Sequence, residues 1–490
     1  MRTLQREAPA AEILALDVAP CGLHELNHLP GIGQRLFQLS EIAVHAREPS
    51  EWADSHMGNE PLRVGMIGAG KFGTMFLSQA GRLPGIHLIG VADLSPANAR
   101  SNMSFVGWPE ERYSAASLDA AADSGATHVS DDWRALVAHP AIDIVIECTG
   151  SPTAAIAHIL EAVRNCKNVV NVTVEADAFV GPALAAKARE AGVIYSMAYG
   201  DQPALTCDLV DWARTCGFNV TAAGRGHKWL PEFRKSTPET VWNHWGVTAE
   251  QAARGRLNPK MFNSFLDGSK PAIESAAIAN AAGLDVPSEG LAFPVGGAED
   301  LANIMRPKSE GGCLDHKGMV EVASSLHPDG TPVPYDIRQG VWVVFEGDTE
   351  YLRNCFQEYT VKTDTTGRYS SLYKRWHLIG LELPVSVASV GIRGEPTGVA
   401  SEFRGDVIAT AKRALAAGEI LDGEGGYTVT GGLRPGKASI AAGYLPLGLA
   451  HDVKLKKSIP DGAPITWSDV EIDETTEAYK LRRWMEAEFG

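Results

Sequence analysis

Within Leu23–Ala46 the apolar residues Leu36, Leu39, Ile42 and Ala43 recur at helical spacing, which predicts one or two helices. The polar stretch 48–61 that follows reads as a linker, so residues 1–61 form an N-terminal extension. At Leu62 the pattern changes. Short apolar runs at 62–68, 87–93, 142–149, 168–174 and 193–198 read as buried strands. Helical periodicity lies between them at 71–83, 154–165 and 182–191. Strands alternating with helices predict a parallel sheet with crossover helices, hence an α/β, doubly wound domain over 62–204. From 205 to 404 the alternation breaks down, Gly and Pro become frequent, and a strand-like run appears at 340–346. This segment reads as an α+β domain for substrate binding, catalysis and dimerisation. Residues 405–490 read as a small β domain followed by a C-terminal helix. In it, 411–423 is echoed by 455–470, which suggests two related arms.

Composition narrows the class. The chain has 490 residues, 44% of them hydrophobic and 21% charged, the balance of a protein with packed cores. Acidic residues outnumber basic ones 60 to 44, for a net charge of -16, which argues against nucleic acid as the main partner. A local basic pocket for a small anion remains compatible with that surface. Seven cysteines without a CxxC pair predict reduced thiols, neither a disulfide framework nor a common structural zinc site. No apolar run approaches the roughly 20 residues of a membrane helix, and the N-terminus does not read as a signal peptide. A soluble, cytoplasmic protein is expected.

The first strand runs into Gly68-Ala69-Gly70-Lys71-Phe72-Gly73, a G-x-G-x-x-G that opens a predicted helix. In that context the pattern predicts a dinucleotide site in a Rossmann-type fold. Gly68 permits the turn, Gly70 lets the pyrophosphate approach, and Gly73 lets helix and strand pack closely. The helix N-terminus offers N–H groups to the phosphates and Lys71 adds a cation. Asp93 ends the second strand, where a carboxylate bonds the adenosine ribose and favours NAD, or else serves as a turn or capping residue. Ser95 and Arg100 follow closely and suit a 2′-phosphate, so NAD and NADP both stay open. Thr149-Gly150-Ser151 is expected to line the nicotinamide side or to cap the next helix.

Chemistry-bearing residues concentrate in the middle segment. Arg225-Gly226-His227-Lys228 ends an apolar stretch, and its cations suit an anionic group as well as a solvated turn. Asp267-Gly268-Ser269-Lys270-Pro271 precedes an apolar run, with Ser269 as a helix N-cap and Lys270 and Glu274 on one face. Lys270 is a candidate acid or carbonyl-polarising group, and Asp267 and Glu274 are candidate oxygen ligands for a divalent cation. The alternative is a well-capped surface helix with an ordinary ion pair. Residues 308–312 and 315–318 read as a loop over the substrate or as a plain polar loop.

The glycine motif, Asp93, ECTG at 147–150, NVTVEAD at 171–177 and the trailing β unit resemble homoserine dehydrogenase-like oxidoreductases with a C-terminal SAF domain. More closely, DQPAL (201–205), GRGHKWLP (224–231), LNPKMFNSFLDGSK (257–270), EGG (310–312), YKRWHLIGLE (373–382) and YKLRR (479–483) resemble the deoxyxylulose-5-phosphate reductoisomerase-like (DRL) enzymes. The resemblance implies NADPH-dependent conversion of 1-deoxyxylulose 5-phosphate to methylerythritol 4-phosphate, assisted by a divalent cation (Mn or Mg), in a homodimer. It implies catalytic roles for Lys270, Asp267, Lys228 and Glu274, and substrate contacts for Arg225, His227, Asn263 and Ser269. One departure stands out. Homoserine dehydrogenases carry an Asn-Lys pair where this chain has Thr173-Val174-Glu175, and a Glu where it has Ser196-Met197-Ala198. The competing readings are a simple dehydrogenase on a small hydroxy acid, amino-alcohol or sugar acid, and a non-catalytic NAD(P) sensor.

Overall fold

The computed structural model describes residues 61–490. The helices expected within 23–46 and the linker up to residue 60 lie outside the described residues. Six parallel strands open the fold: β1 (Leu62–Ile67), β2 (Ile86–Ala92), β3 (His128–Ser130), β4 (Ile144–Glu147), β5 (Asn168–Asn171) and β6 (Tyr195–Met197). Their spatial order is β3-β2-β1-β4-β5-β6. The order reverses between β1 and β4, and that switch point opens a crevice at the carboxyl edge of the sheet. The Rossmann-type sheet is therefore as the sequence pattern predicts. Its third strand has one apolar residue, Val129, between His128 and Ser130, and so leaves no apolar run in the sequence.

The crossover helices include α1 (Lys71–Ala80), α2 (Pro96–Phe105), α3 (Leu118–Ser124), α4 (Trp133–Ala138), α5 (Pro152–Arg164) and α6 (Val174–Ala191). Helix α6 begins eight residues before the expected start at Pro182. The proline marks a kink inside it: Val180 has non-helical angles (φ -143°, ψ 19°) just before the residue that cannot donate a backbone hydrogen bond. Helix α7 (Gln202–Thr215) leads out of the first sheet.

A mixed four-stranded sheet follows, built from β7 (Asn219–His227), β8 (Met319–Ser324), β9 (Val341–Glu346) and β10 (Tyr369–Lys374) in the order β10-β9-β7-β8. Strand β7 pairs parallel with β8 and antiparallel with β9. Helices α8 (Pro259–Leu266) and α9 (Ser269–Ala282) lie between β7 and β8 in sequence. Every residue of α9 except Ala281 is buried, because α6, α7 and the C-terminal strands surround it. Ala272, Ala276, Ala277 and Ala279 allow that close approach. The surface-helix alternative for this segment is thereby overturned.

The C-terminal segment consists of β11 (Gly405–Ala411), β12 (Ile420–Asp422), β13 (Val429–Pro435), β14 (His451–Leu455), β15 (Val470–Glu471) and α10 (Glu477–Phe489). Strands β11 and β13 form an antiparallel ribbon, and β12, β14 and β15 a small antiparallel sheet. The two echoed stretches meet: Leu415 and Ile459 exchange backbone hydrogen bonds of 2.9 Å each way. Helix α10 packs on α5 and α6, and one continuous core runs through α5, α6, α9, β11 and α10. Five cysteines are free thiols, but Cys166 is disulfide-bonded, against the expectation of reduced thiols throughout. Among the described residues no helix is long and apolar enough to cross a membrane.

Arg482 of α10 ties this core together. It is fully buried, reaches both oxygens of Asp406 on β11 (3.0 and 2.6 Å), Glu486 (2.8 Å) and the Phe179 carbonyl (2.9 Å). Removing one partner of a buried pair leaves the other charge uncompensated. Arg482→Ala is expected to cost about 3–5 kcal/mol in chemical unfolding.

Candidate active site

Strand β1 ends at Gly68, whose φ of +94° and proximity to Cys148 (a Cβ would lie 2.9 Å from its backbone) leave room only for glycine. A Cβ on Gly73 would come within 2.6 Å of the Gly68 carbonyl oxygen, so this glycine sets how closely α1 packs on β1. Gly70, the N-cap of α1, behaves differently: a Cβ there would meet nothing within 4 Å. Its backbone faces open space, as a bound pyrophosphate requires, with exposed Lys71 beside it. Phe72 sits partly buried behind this turn. The loop therefore fits a dinucleotide, held by the N–H groups at the start of α1.

Asp93 supports that loop. Its Oδ2 accepts the Ala69 N–H (2.8 Å) and its Oδ1 the Ser95 N–H (2.8 Å), which leaves lone pairs for ribose hydroxyls. The expected partners of a 2′-phosphate, Ser95 and Arg100, both take part in local structure but keep O–H and N–H donors, so NAD and NADP both stay open. Ser95 caps α2, and Arg100 donates to the carbonyls of Tyr113 (2.8 Å) and Val129 (3.0 Å). Asn102 donates to the Ala69 carbonyl (2.8 Å) and accepts from Arg256 (2.8 Å), so the middle segment reaches the cofactor loop.

At the other end of the crevice, Glu147 ends β4 fully buried and organises two loops. It accepts from Thr149 Oγ1 (2.6 Å), from Thr173 Oγ1 and from His158 (3.2 Å). Thr173 Oγ1 in turn accepts the Gly150 N–H (3.0 Å). Thr149 and Gly150 are exposed at the carboxyl end of β4.

Helix α9 carries a charged row into this region. Lys270 forms an ion pair with Glu175 on the first turn of α6. One turn along α9, Glu274 pairs with Arg225 of β7. Asp201, the N-cap of α7, lies within electrostatic reach of both Lys270 and Arg225. Burial works against the Lys270 charge, but Glu175, then Glu424 and Asp201, outweigh it and lift the ammonium above its usual range. A small cavity adjoins this row, lined by Pro152, Glu175, Phe179, Ile273, Glu424 and His451. Pro152 and Glu175 begin the helices after β4 and β5, so the cavity sits at the carboxyl edge of the sheet.

Several expected roles are corrected. Gly268, with φ +89°, is the N-cap of α9 in place of Ser269, whose hydroxyl accepts the Gly431 N–H (2.8 Å). Asn263 is fully buried and donates to the carbonyls of Ser236 (3.0 Å) and Gly425 (2.8 Å), so it clamps backbone and is not presented to a substrate. His227 donates from Nε2 to the Phe265 carbonyl (2.7 Å) and accepts from Arg225 (3.4 Å). Burial, then Arg225, hold it well below the usual histidine range, so it is neutral and orients Arg225. Lys228 donates to the His244 carbonyl (2.5 Å), away from the row on α9. Asp267 pairs with Lys412 (2.6 Å) just as Glu274 pairs with Arg225. These carboxylates are neutralised by side-chain cations and do not fit a divalent metal. Among the described residues no three His, Cys, Asp or Glu side chains gather as a metal site. The 308–312 loop is stapled down: Glu310 accepts from Tyr369 (2.6 Å) and Lys308 pairs with Asp315 (2.6 Å).

Four residues of the site escape sequence reasoning. Glu175 is visible there only as a missing lysine. Asp201 and Glu147 sit inside quoted strings with no role attached. Glu424 lies in a glycine-rich turn more than 150 positions beyond Lys270, and nothing local connects the two.

Residues 200–383, which supply Asp201, Arg225, Lys270 and Glu274, match the family model "Oxidoreductase DRL, catalytic domain". Residues 65–197 match "Homoserine dehydrogenase, NAD binding domain". This chain is an NAD(P)-dependent oxidoreductase. A homoserine dehydrogenase from Pseudomonas aeruginosa is 40% identical over 72 residues, 15% of this chain and 17% of the relative's length. Among solved structures, a homoserine dehydrogenase from Thiobacillus denitrificans shares 19% identity over 45% of this chain and 49% of its own, with a TM-score of 0.31. A probable dehydrogenase from Thermotoga maritima shares 14% identity over 69% of this chain and 91% of its own, with a TM-score of 0.34.

The two glycines on either side of Lys71 should separate stability from binding. Gly73→Ala forces a clash with backbone and is expected to cost about 1–3 kcal/mol in thermal or chemical unfolding. Gly70→Ala should leave the unfolding curve unchanged and weaken NAD(P)H binding by at least about tenfold in fluorescence titration, since the methyl occupies the pyrophosphate's place.

Proposed function

We propose that this oxidoreductase is a reductoisomerase that converts 1-deoxyxylulose 5-phosphate to methylerythritol 4-phosphate with NADPH, in a cytoplasmic homodimer. The observation that carries the reading is the buried Lys270 ammonium, held charged by Glu175 beside the cavity at the carboxyl edge of the sheet. A fixed cation there stabilises negative charge developing on a carbonyl oxygen as hydride arrives. Arg225, oriented by His227 and Glu274, reinforces the positive side of the row. Bound NADPH supplies the hydride, and the glycine loop and Asp93 hold its adenosine half. The resemblance to DRL enzymes supports the choice of substrate.

A second reading, a dehydrogenase on a small hydroxy acid or amino-alcohol, is favoured by the homoserine dehydrogenase match over residues 65–197. Glu175 in place of a lysine at the start of α6 weighs against it. Purified protein with deoxyxylulose phosphate and NADPH, with and without Mn²⁺, is expected to consume NADPH and form methylerythritol phosphate. Turnover of homoserine or a hydroxy acid, and none of the ketose phosphate, overturns the substrate assignment. Lys270→Ala should lower kcat about 100- to 1000-fold while NADPH affinity stays unchanged, measured by steady-state kinetics and fluorescence titration.

A further inference from the structure

The C-terminal segment lies outside both matched regions, yet it closes the cavity beside Lys270. It contributes Glu424 from the turn between β12 and β13, and His451 at the start of β14. The turn is built to hold Glu424 in place. The Asp422 carboxylate accepts the N–H groups of Tyr427 (2.6 Å) and Thr428 (3.0 Å). Asn263 of α8 donates to the Gly425 carbonyl (2.8 Å), and Lys412 to that of Gly426 (2.7 Å). A Cβ on Gly425 would lie 2.0 Å from the Lys260 carbonyl oxygen, and one on Gly423 2.1 Å from His451. Backbone pressed this tightly against α8 and β14 leaves Glu424 as the one long side chain the turn sends inward.

Charge balance around it is uneven. Glu175, Asp201 and Glu424 share the neighbourhood of a single ammonium, Lys270. Other cations around it are committed: Arg225 to Glu274, Lys412 to Asp267, and Lys260 to the Asp422 carbonyl. Facing Glu424 from β14, His451 is held below its usual range by burial, then by Lys260 of α8, and stays neutral. Asp201 is buried and Glu175 and Glu424 are half-buried, so the three carboxylates compete for the Lys270 ammonium and the least compensated of them keeps its proton. Glu175 touches Lys270 directly and is the best compensated.

We propose that Glu424 is the proton donor of the active site, so that the C-terminal segment supplies the acid for a reduction whose cofactor and cation come from the other two. The proposal rests on the reading of the cavity as a site of carbonyl reduction. In the step, hydride leaves the nicotinamide of NADPH for the carbonyl carbon. The carbonyl π electrons pass to oxygen, and that oxygen takes the proton of Glu424. The products are an alcohol, NADP⁺ and a Glu424 carboxylate facing Lys270, which a solvent proton then restores. Burial, then Glu175, push the Glu424 carboxyl up to about 8 against the opposing pull of Lys270. The acid form is the active one, so kcat is full below that value and falls as pH rises through it.

Two measurements on the full-length, NADPH-loaded protein test this. Infrared difference spectra of wild type against Glu424→Gln need no substrate. They should show a protonated-carboxyl C=O band that the substitution removes and that titrates near pH 8. In steady-state kinetics, Glu424→Gln should lose about 100-fold in kcat and the high-pH limb of the profile, with KM for NADPH within twofold. Glu424→Asp should regain part of the rate, and unchanged unfolding midpoints show that both variants fold. A carboxyl band untouched by Glu424→Gln overturns the proposal, and so does wild-type turnover with the limb intact. A wild-type protein that keeps the band but leaves deoxyxylulose phosphate unreduced overturns the substrate assignment instead. The kinetic arm then runs on whichever carbonyl compound it does reduce.

Discussion

An ammonium buried on a helix of mostly small and apolar residues is tolerated only where a carboxylate meets it, since an unpaired charge in such a place is among the costliest defects a fold can carry. Lys270 and Glu175 satisfy that condition across two helices that belong to different sheets. The pair constrains much else. It fixes where α9 lies against the start of α6, and thereby which side chains reach the carboxyl edge of the parallel sheet. It also keeps the ammonium charged, so the site presents a permanent cation and not a base. Chemistry that develops negative charge on oxygen suits such a site.

Helix α9 acts as the spine of the molecule because each of its faces is occupied by something different. One face carries Lys270 and Glu274 toward Glu175, Asp201 and Arg225. Another, through Ser269, is stitched to β13 at Gly431. Its small residues let α6, α7 and β11 approach closely. Buried ion pairs at both ends of this arrangement, Asp267 with Lys412 and Asp406 with Arg482, lock the C-terminal strands to the same core. Since such pairs add little net stability over apolar packing, their contribution is to select one arrangement of the elements, in which the Glu424 turn faces the cavity.

Carboxylates in this protein fall into two groups that sequence inspection does not separate. Asp267 and Glu274 look like cation ligands in the chain, but each meets a buried side-chain cation. Glu175, Asp201 and Glu424 look unremarkable in the chain, yet they converge on one lysine from three elements. The difference lies in what stands opposite each residue, which is set by helix and turn placement over long sequence separations.

What the sequence by itself determined is the dinucleotide half. Periodicity switches from strand to helix at Gly68–Gly73, and the requirements at Gly68 and Gly73 are local backbone requirements, so a short string is enough to read them. Five of the six parallel strands were legible for the same reason, and β3 was not, because Val129 is its only apolar residue between His128 and Ser130. Lys270 was legible as a candidate, and Arg225 as a cation suited to an anionic group. Tertiary structure alone decided which carboxylate holds Lys270, that Asn263 and His227 position other groups, and that Glu424 arrives from the C-terminal segment. Those facts depend on buried charges finding partners across the whole chain, and that pairing is a property of the packed core and leaves no local pattern.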